Sequence, residues 1–261
     1  MEEWSEYHLS ILEELVRDIP VPKMAKVKQT FEDNKLEDFD SELRAELEKV
    51  KDMVKPNMEI AIAVGSRGID KVVELTAITV EFLKELGAKP FIVPSMGSHG
   101  GATGPGQKAV LEHLGVTEES AGCEIRSSME VVKIGELPNG LPIYFDKYAS
   151  EADGVVVINR VKPHTAFRGK VESGIMKMIS IGLGKQKGAE ACHQLGFKNM
   201  AENVPAMARI AIEKKPILFG VATVENAFDR VAKVEVLRAE EIEEKEPALQ
   251  ELAKKLLPKI F

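Results

Sequence analysis

The sequence predicts an α/β protein: an open, largely parallel sheet of βαβ units, helices on both faces, and hairpins at the edges. Three observations predict it. Short runs rich in β-branched residues alternate with amphipathic stretches. Glycine-rich loops stand at the joins between them. At 44% apolar and 30% charged, the chain has the composition of a protein with a core, not of a disordered one. Its 261 residues read as a single α/β domain over 1–261.

The elements follow in order. Residues 3–17 carry Leu9, Leu12, Leu15 and Val16 at helical spacing, and Pro20 and Pro22 end that pattern. A short strand is expected near 25–31 and a charged helix near 41–54. MEIAIAV (58–64) reads as a strand, GSRG as its loop, and 71–86 as a helix. KPFIVP (89–94) repeats the unit with the loop SMGSHGGATGPG and a helix near 107–114. CEIRSS (123–128) and EVVKIGELPNGLPIYFDKYA (130–149) read as hairpin or edge strands, with a turn at Pro138-Asn139-Gly140. GVVVIN (154–159) precedes the loop RVKPHTAFRGK and a helix starting near 171. A helix over 199–214 leads to the strand PILFGVATV (216–224), the edge strand AFDRVAKVEVLRA and an acidic helix over 240–257. Strands alternating with helices imply right-handed crossovers and a parallel sheet.

Bulk properties exclude several classes. A net charge of −7 argues against a nucleic-acid binder. No apolar run approaches the roughly 18–20 residues that cross a bilayer, so no membrane role is expected. The acidic, amphipathic N-terminus is no targeting peptide, and two cysteines build no disulfide framework, so a cytoplasmic location is expected.

Ligands of an open parallel sheet bind beyond the carboxyl ends of its strands. Three loops reach that edge here: GSRG with Arg67, GSHGGATG with His99, and RVKPHTAFRGK with His164. Each joins glycine, which permits positive φ and close approach, to a residue suited to anion binding or proton transfer. Arg160, Lys162, Arg168 and Lys170 read equally as a pocket wall or a solvated rim. His8 and His113 sit in helical patterns and read as structural or surface residues. GATGPGQK (101–108) resembles a phosphate loop but places Gln107 where lysine is required, and GLGKQKG (182–188) lacks the dinucleotide spacing. Cys192 reads as a small buried residue, because its neighbour His193 points about 100° away on a helix. Lys177 and His193 stand sixteen positions apart, about 24 Å on one straight helix. They meet one ligand only if Gly182, Gly184 or Gly188 breaks that helix.

GSRG, GSHGGATG, the VKPH loop, SGIMK and the histidine after it resemble, in order and spacing, the N-terminal domain of the nickel-dependent, pincer-cofactor lactate racemases. The resemblance runs over roughly 55–225. It implies an isomerase: a racemase or epimerase of a 2-hydroxy acid that removes and returns a hydride on a nickel-pincer pyridinium mononucleotide. By position it implies Lys177 as the attachment lysine, His193 as the nickel ligand, His99 and His164 as the proton-transfer pair, and Arg67 as a grip on the substrate carboxylate. Gly97, Ser98 and Gly100 would border the cofactor. The longer loop after His164 adds Arg168, Lys170 and Glu172, which would line a different substrate pocket, with Arg168 binding substrate. The family's second, C-terminal domain is not found in these residues. It would have to act in cis or in trans, leaving this chain alone inactive and its exposed edge open to self-association. Two other readings remain from the residues: a phosphate- or nucleotide-dependent enzyme using the glycine-rich loops, and a non-enzymatic binding domain on the same fold.

Overall fold

The computed structural model describes residues 13–20, 22–194 and 196–258. Its contacts divide the chain into two units, Met1–Phe31 and Glu32–Phe261. In the first, residues 13–16 are helical. The rest of the expected N-terminal helix, with Leu9, Leu12 and His8, lies outside the described residues. The strand expected near 25–31 does not form: residues 22–31 have no regular structure, and no sheet ladder among the described residues includes them. AKVKQTF alternates as a strand would, but Val27 is 71% exposed, and alternation makes a strand only where a ladder and a buried face receive it.

In the second unit, α1 (Phe39–Glu48) starts on Asp38, whose carboxylate accepts the Ser41 N–H at 3.1 Å. It is shorter than expected, because the chain tightens to a 3-10 turn at Lys51–Met53. The repeating units follow: β1 (Glu59–Val64), α2 (Val72–Glu85), β2 (Lys89–Pro94) and α3 (Gly104–His113). Helix α3 begins three residues before expectation, because the Thr103 side chain caps it and Pro105 suits its first turn. A single turn, α4 (Glu118–Ala121), precedes the hairpin β3 (Val131–Glu136) and β4 (Pro142–Asp146), a two-stranded sheet of its own. CEIRSS contributes only an isolated bridge, Ile92 to Ile125.

After the short α5 (Lys147–Glu151) come β5 (Gly154–Arg160), α6 (Ile175–Lys177), α7 (Lys185–Gln194), α8 (Met200–Lys214), β6 (Ile217–Glu225), β7 (Val231–Arg238) and α9 (Ile242–Leu256). The helix expected from 171 starts at Ile175, because Ser173 is still extended and bridged to Lys162.

The main sheet runs β2-β1-β5-β6-β7. Its first four strands are parallel and β7 returns antiparallel along β6. Alternating side chains feed two cores. Ile60, Ile62, Ile92, Val156 and Ile158 pack with Leu43, Leu47, Leu75 and Leu83 on one face. Ala61, Ala63, Val93, Val155 and Val157 pack with Ile175, Ile179, Ala208 and Leu249 on the other. The chain therefore has the α/β architecture expected, with helices on both faces. Strand order reverses about β1, so the loops after β1, β2 and β5 open side by side at one carboxyl edge.

Candidate active site

At that edge lies a pocket of about 320 Å³. The loop after β1 supplies Ser66 and Arg67, the loop after β2 Gly97, Ser98 and His99, and the loop after β5 His164. Lys177 and His193 reach it from α6 and α7. No aspartate or glutamate among the described residues lines it. One guanidinium, one amine and three imidazoles without a carboxylate make a site for an anion.

Lys177 and His193 meet because the helix does not continue. Single-turn α6 passes into a π-turn over Met178–Gly182, and Lys185 adopts φ +53°, turning α7 back toward the pocket. The left-handed residue is a lysine, not one of the three glycines. Lys185 is fully buried: its Nζ donates to the Pro94 carbonyl and to Gln107 Oε1 at 3.0 Å, and it is ion-paired with Asp146 Oδ2 at 3.1 Å. Gln107 Nε2 then donates to the carbonyls of Gly97 at 2.8 Å and His99 at 3.3 Å. A buried ammonium thus pins the His99 loop from below. Burial lowers the Lys185 pKa and raises that of Asp146, each group opposing the other's shift.

Lys177 is half-buried, and burial with the nearby charges of Arg67 and Lys162 lowers its amine to about 8. About a tenth of it is then neutral, and so nucleophilic, at pH 7. Burial, then Arg67 and Lys177, also lower His99, whose Nδ1 contacts the Ser66 hydroxyl. His164 is pushed to about 4, chiefly by burial and then by Lys177. Behind α6, the buried Glu246 of α9 accepts the Met176 N–H at 2.9 Å and so caps the turn that carries Lys177. Its burial raises its pKa to about 7.

Two expected site residues stand outside the pocket lining. The Arg168 side chain is 70% exposed and its guanidinium donates to the His164 and Phe167 carbonyls. Gly100 packs on the start of α3, where a Cβ would lie 2.6 Å from Gly106 C, and its φ is +64°. Glu172 faces away from any ligand: it is buried, and its carboxylate accepts the His164 N–H at 2.8 Å and the Gly169 N–H at 3.3 Å. A carboxylate with two backbone donors at hand turns inward, which corrects the expectation that it lines a pocket. Sequence reasoning also missed Lys185, Gln107, Glu246 and Asn159, which lines the pocket and donates to the Gly174 carbonyl at 2.7 Å. Cys192 is the small core residue expected, fully buried with its thiol pushed up to about 11.

Among the described residues no group of three or more His, Cys, Asp or Glu could hold a metal ion, and no helix is long and apolar enough to cross a membrane. A comparison with curated proteins gave no match. The lactate racemase apoprotein of Thermoanaerobacterium thermosaccharolyticum has a similar structure, with a TM-score of 0.63 and 20% identity. The match covers 86% of this chain but 59% of that one, so the chain spans about three fifths of that relative's length. The model of the lactate racemase N-terminal domain matches residues 9–204, and the chain belongs to that family.

Proposed function

We propose that this chain is the cofactor-binding half of a racemase or epimerase of a 2-hydroxy acid, and that Lys177 carries a nickel-pincer pyridinium mononucleotide. The observation that carries this reading is the amine of Lys177, depressed to about 8 in a cationic pocket that His193 also lines. The donor set fits. His193 would supply the single imidazole ligand to a metal whose other donors, soft sulfurs, would come with the cofactor. When bound, that group supplies a reversible hydride acceptor.

The protein's own residues bind, orient and move protons. Arg67 at the pocket rim would hold the substrate carboxylate through paired hydrogen bonds. His99 and His164 flank the pocket and hold or release the proton of the substrate hydroxyl, a task suited to an imidazole kept neutral at physiological pH. The C-terminal domain of the family, in cis or in trans, would close the site against water.

The test is intact mass with metal analysis on protein co-produced with the enzymes that make the pincer cofactor. A mass increase located at Lys177, with nickel retained by the wild type and lost from His193→Ala, supports the reading. Well-folded protein with neither adduct nor nickel contradicts it.

A further inference from the structure

Two of the pocket's histidines, His99 and His164, are held differently. His99 touches the Ser66 hydroxyl through Nδ1. A hydroxyl either donates or accepts, so both neutral tautomers of His99 can be accommodated. The loop grips His164 at three polar atoms. Its N–H donates to Glu172, its carbonyl accepts from Arg168, and its Nδ1 accepts the Ala166 N–H at 3.1 Å. The ring also packs on Phe167, with centroids 4.5 Å apart. A backbone amide can only donate, so Nδ1 must carry the lone pair and the neutral ring its proton on Nε2.

What holds the loop in this shape is Glu172. Its side chain is fully buried, ties both ends of the turn through the His164 and Gly169 N–H groups, and meets Lys254 Nζ at 3.2 Å. Lys254 belongs to α9, beyond residue 204 where the family match ends. We propose that Glu172, anchored by Lys254, sets the tautomer of His164, so that this residue meets a ligand as an Nε2–H hydrogen-bond donor while His99 is the histidine poised to accept a proton. The inference deepens the racemase reading and rests on it for its chemical meaning. The low pKa of His164 is consistent with it, since a neutral ring is what the Ala166 N–H requires. To act as a base, His164 must first release that amide. Glu172 is accordingly a positioning residue.

Long-range proton–nitrogen correlation spectra of the unloaded, full chain read the tautomer directly, and five histidines make the spectrum simple. His164→Gln identifies the resonances. At pH 7 the wild type is expected to show His164 Nδ1 at the unprotonated, pyridine-type position and Nε2 protonated. In Glu172→Gln the amide NH2 opposes one backbone N–H, and Nδ1 should shift toward the average of the two tautomers. If that variant does not fold, Lys254→Met, which strips the buried carboxylate of its ammonium, should shift Nδ1 in the same direction. A wild-type ring protonated on Nδ1 or charged overturns the proposal. So does a His164 spectrum unmoved in a folded variant. The spectra need no cofactor, so a missing adduct at Lys177 would sink the racemase reading and leave this result standing.

Discussion

The loops that carry the two histidines are anchored by opposite charges. Under the 95–103 loop lies a buried cation, Lys185, which gathers carbonyls: Pro94 directly, and Gly97 and His99 through Gln107. Behind the 161–174 loop lies a buried anion, Glu172, which gathers N–H groups. The first loop turns its carbonyls inward and the second its amides. Each is fixed by one side chain that supplies the complementary valence. Both anchors are fully buried, but their counter-ions differ in depth. Lys185 and its counter-ion Asp146 are both fully buried, whereas Lys254 at Glu172 keeps 32% of its side chain exposed. The cation's ion pair is therefore closed inside the core, and the anion's reaches solvent through Lys254.

That difference predicts a ranking. Lys185→Met strips Asp146 of its buried partner and should cost about 3–5 kcal/mol in denaturant unfolding. Adding Asp146→Asn should recover a good part of it. If Lys185→Met unfolds like the wild type, the depth contrast is broken. A second prediction tests the brace behind Lys177. Glu246 has its pKa raised to about 7 in the fold, so it binds its proton more tightly there than in the unfolded chain. Its contribution is full below the unfolded value near 4.5 and falls as pH rises to about 7, by roughly 3 kcal/mol. Thermal unfolding from pH 5 to 8 should show that decline in the wild type and a flatter profile in Glu246→Gln. An unchanged slope in the variant contradicts the assignment. The smallest effect belongs to Arg168→Ala. Its ion pair to Glu172 is 3.8 Å long and its side chain mostly exposed, so stability should change by about 0.5 kcal/mol or less. A larger loss would show that the second loop rests on Arg168 and not on Glu172.

The sheet was legible because its strands are apolar runs bounded by glycine loops, and β1, β2, β5 and β6 fall within two residues of expectation. The convergence of Arg67, His99 and His164 followed from that topology, since parallel strands deliver their loops to one edge. The anchors were not legible. Lys185 stands in GLGKQKG, where a lysine looks like any solvated one. The end of β2, α3 and β4, brought together by the fold, hold its ammonium. Gln107 looked like a failed phosphate-loop lysine, and its task of joining Lys185 to the Gly97 and His99 carbonyls needs both ends in view. Glu172 sat among Arg168 and Lys170 and read as part of one charged wall, because local sequence does not say which member turns inward. The N-terminal alternation misled in the other direction, since a period of two states what a strand needs and not whether a partner strand exists.

The residues of this chain assemble a cationic, partly buried pocket around Lys177. Competitive acylation of the intact protein across pH, with labelling quantified lysine by lysine, measures it directly. Lys177 should react with a midpoint of about pH 8, and the midpoint should rise in Arg67→Ala as a neighbouring positive charge is removed. A Lys177 that labels like a solvent-exposed lysine, indifferent to Arg67, would contradict the site described.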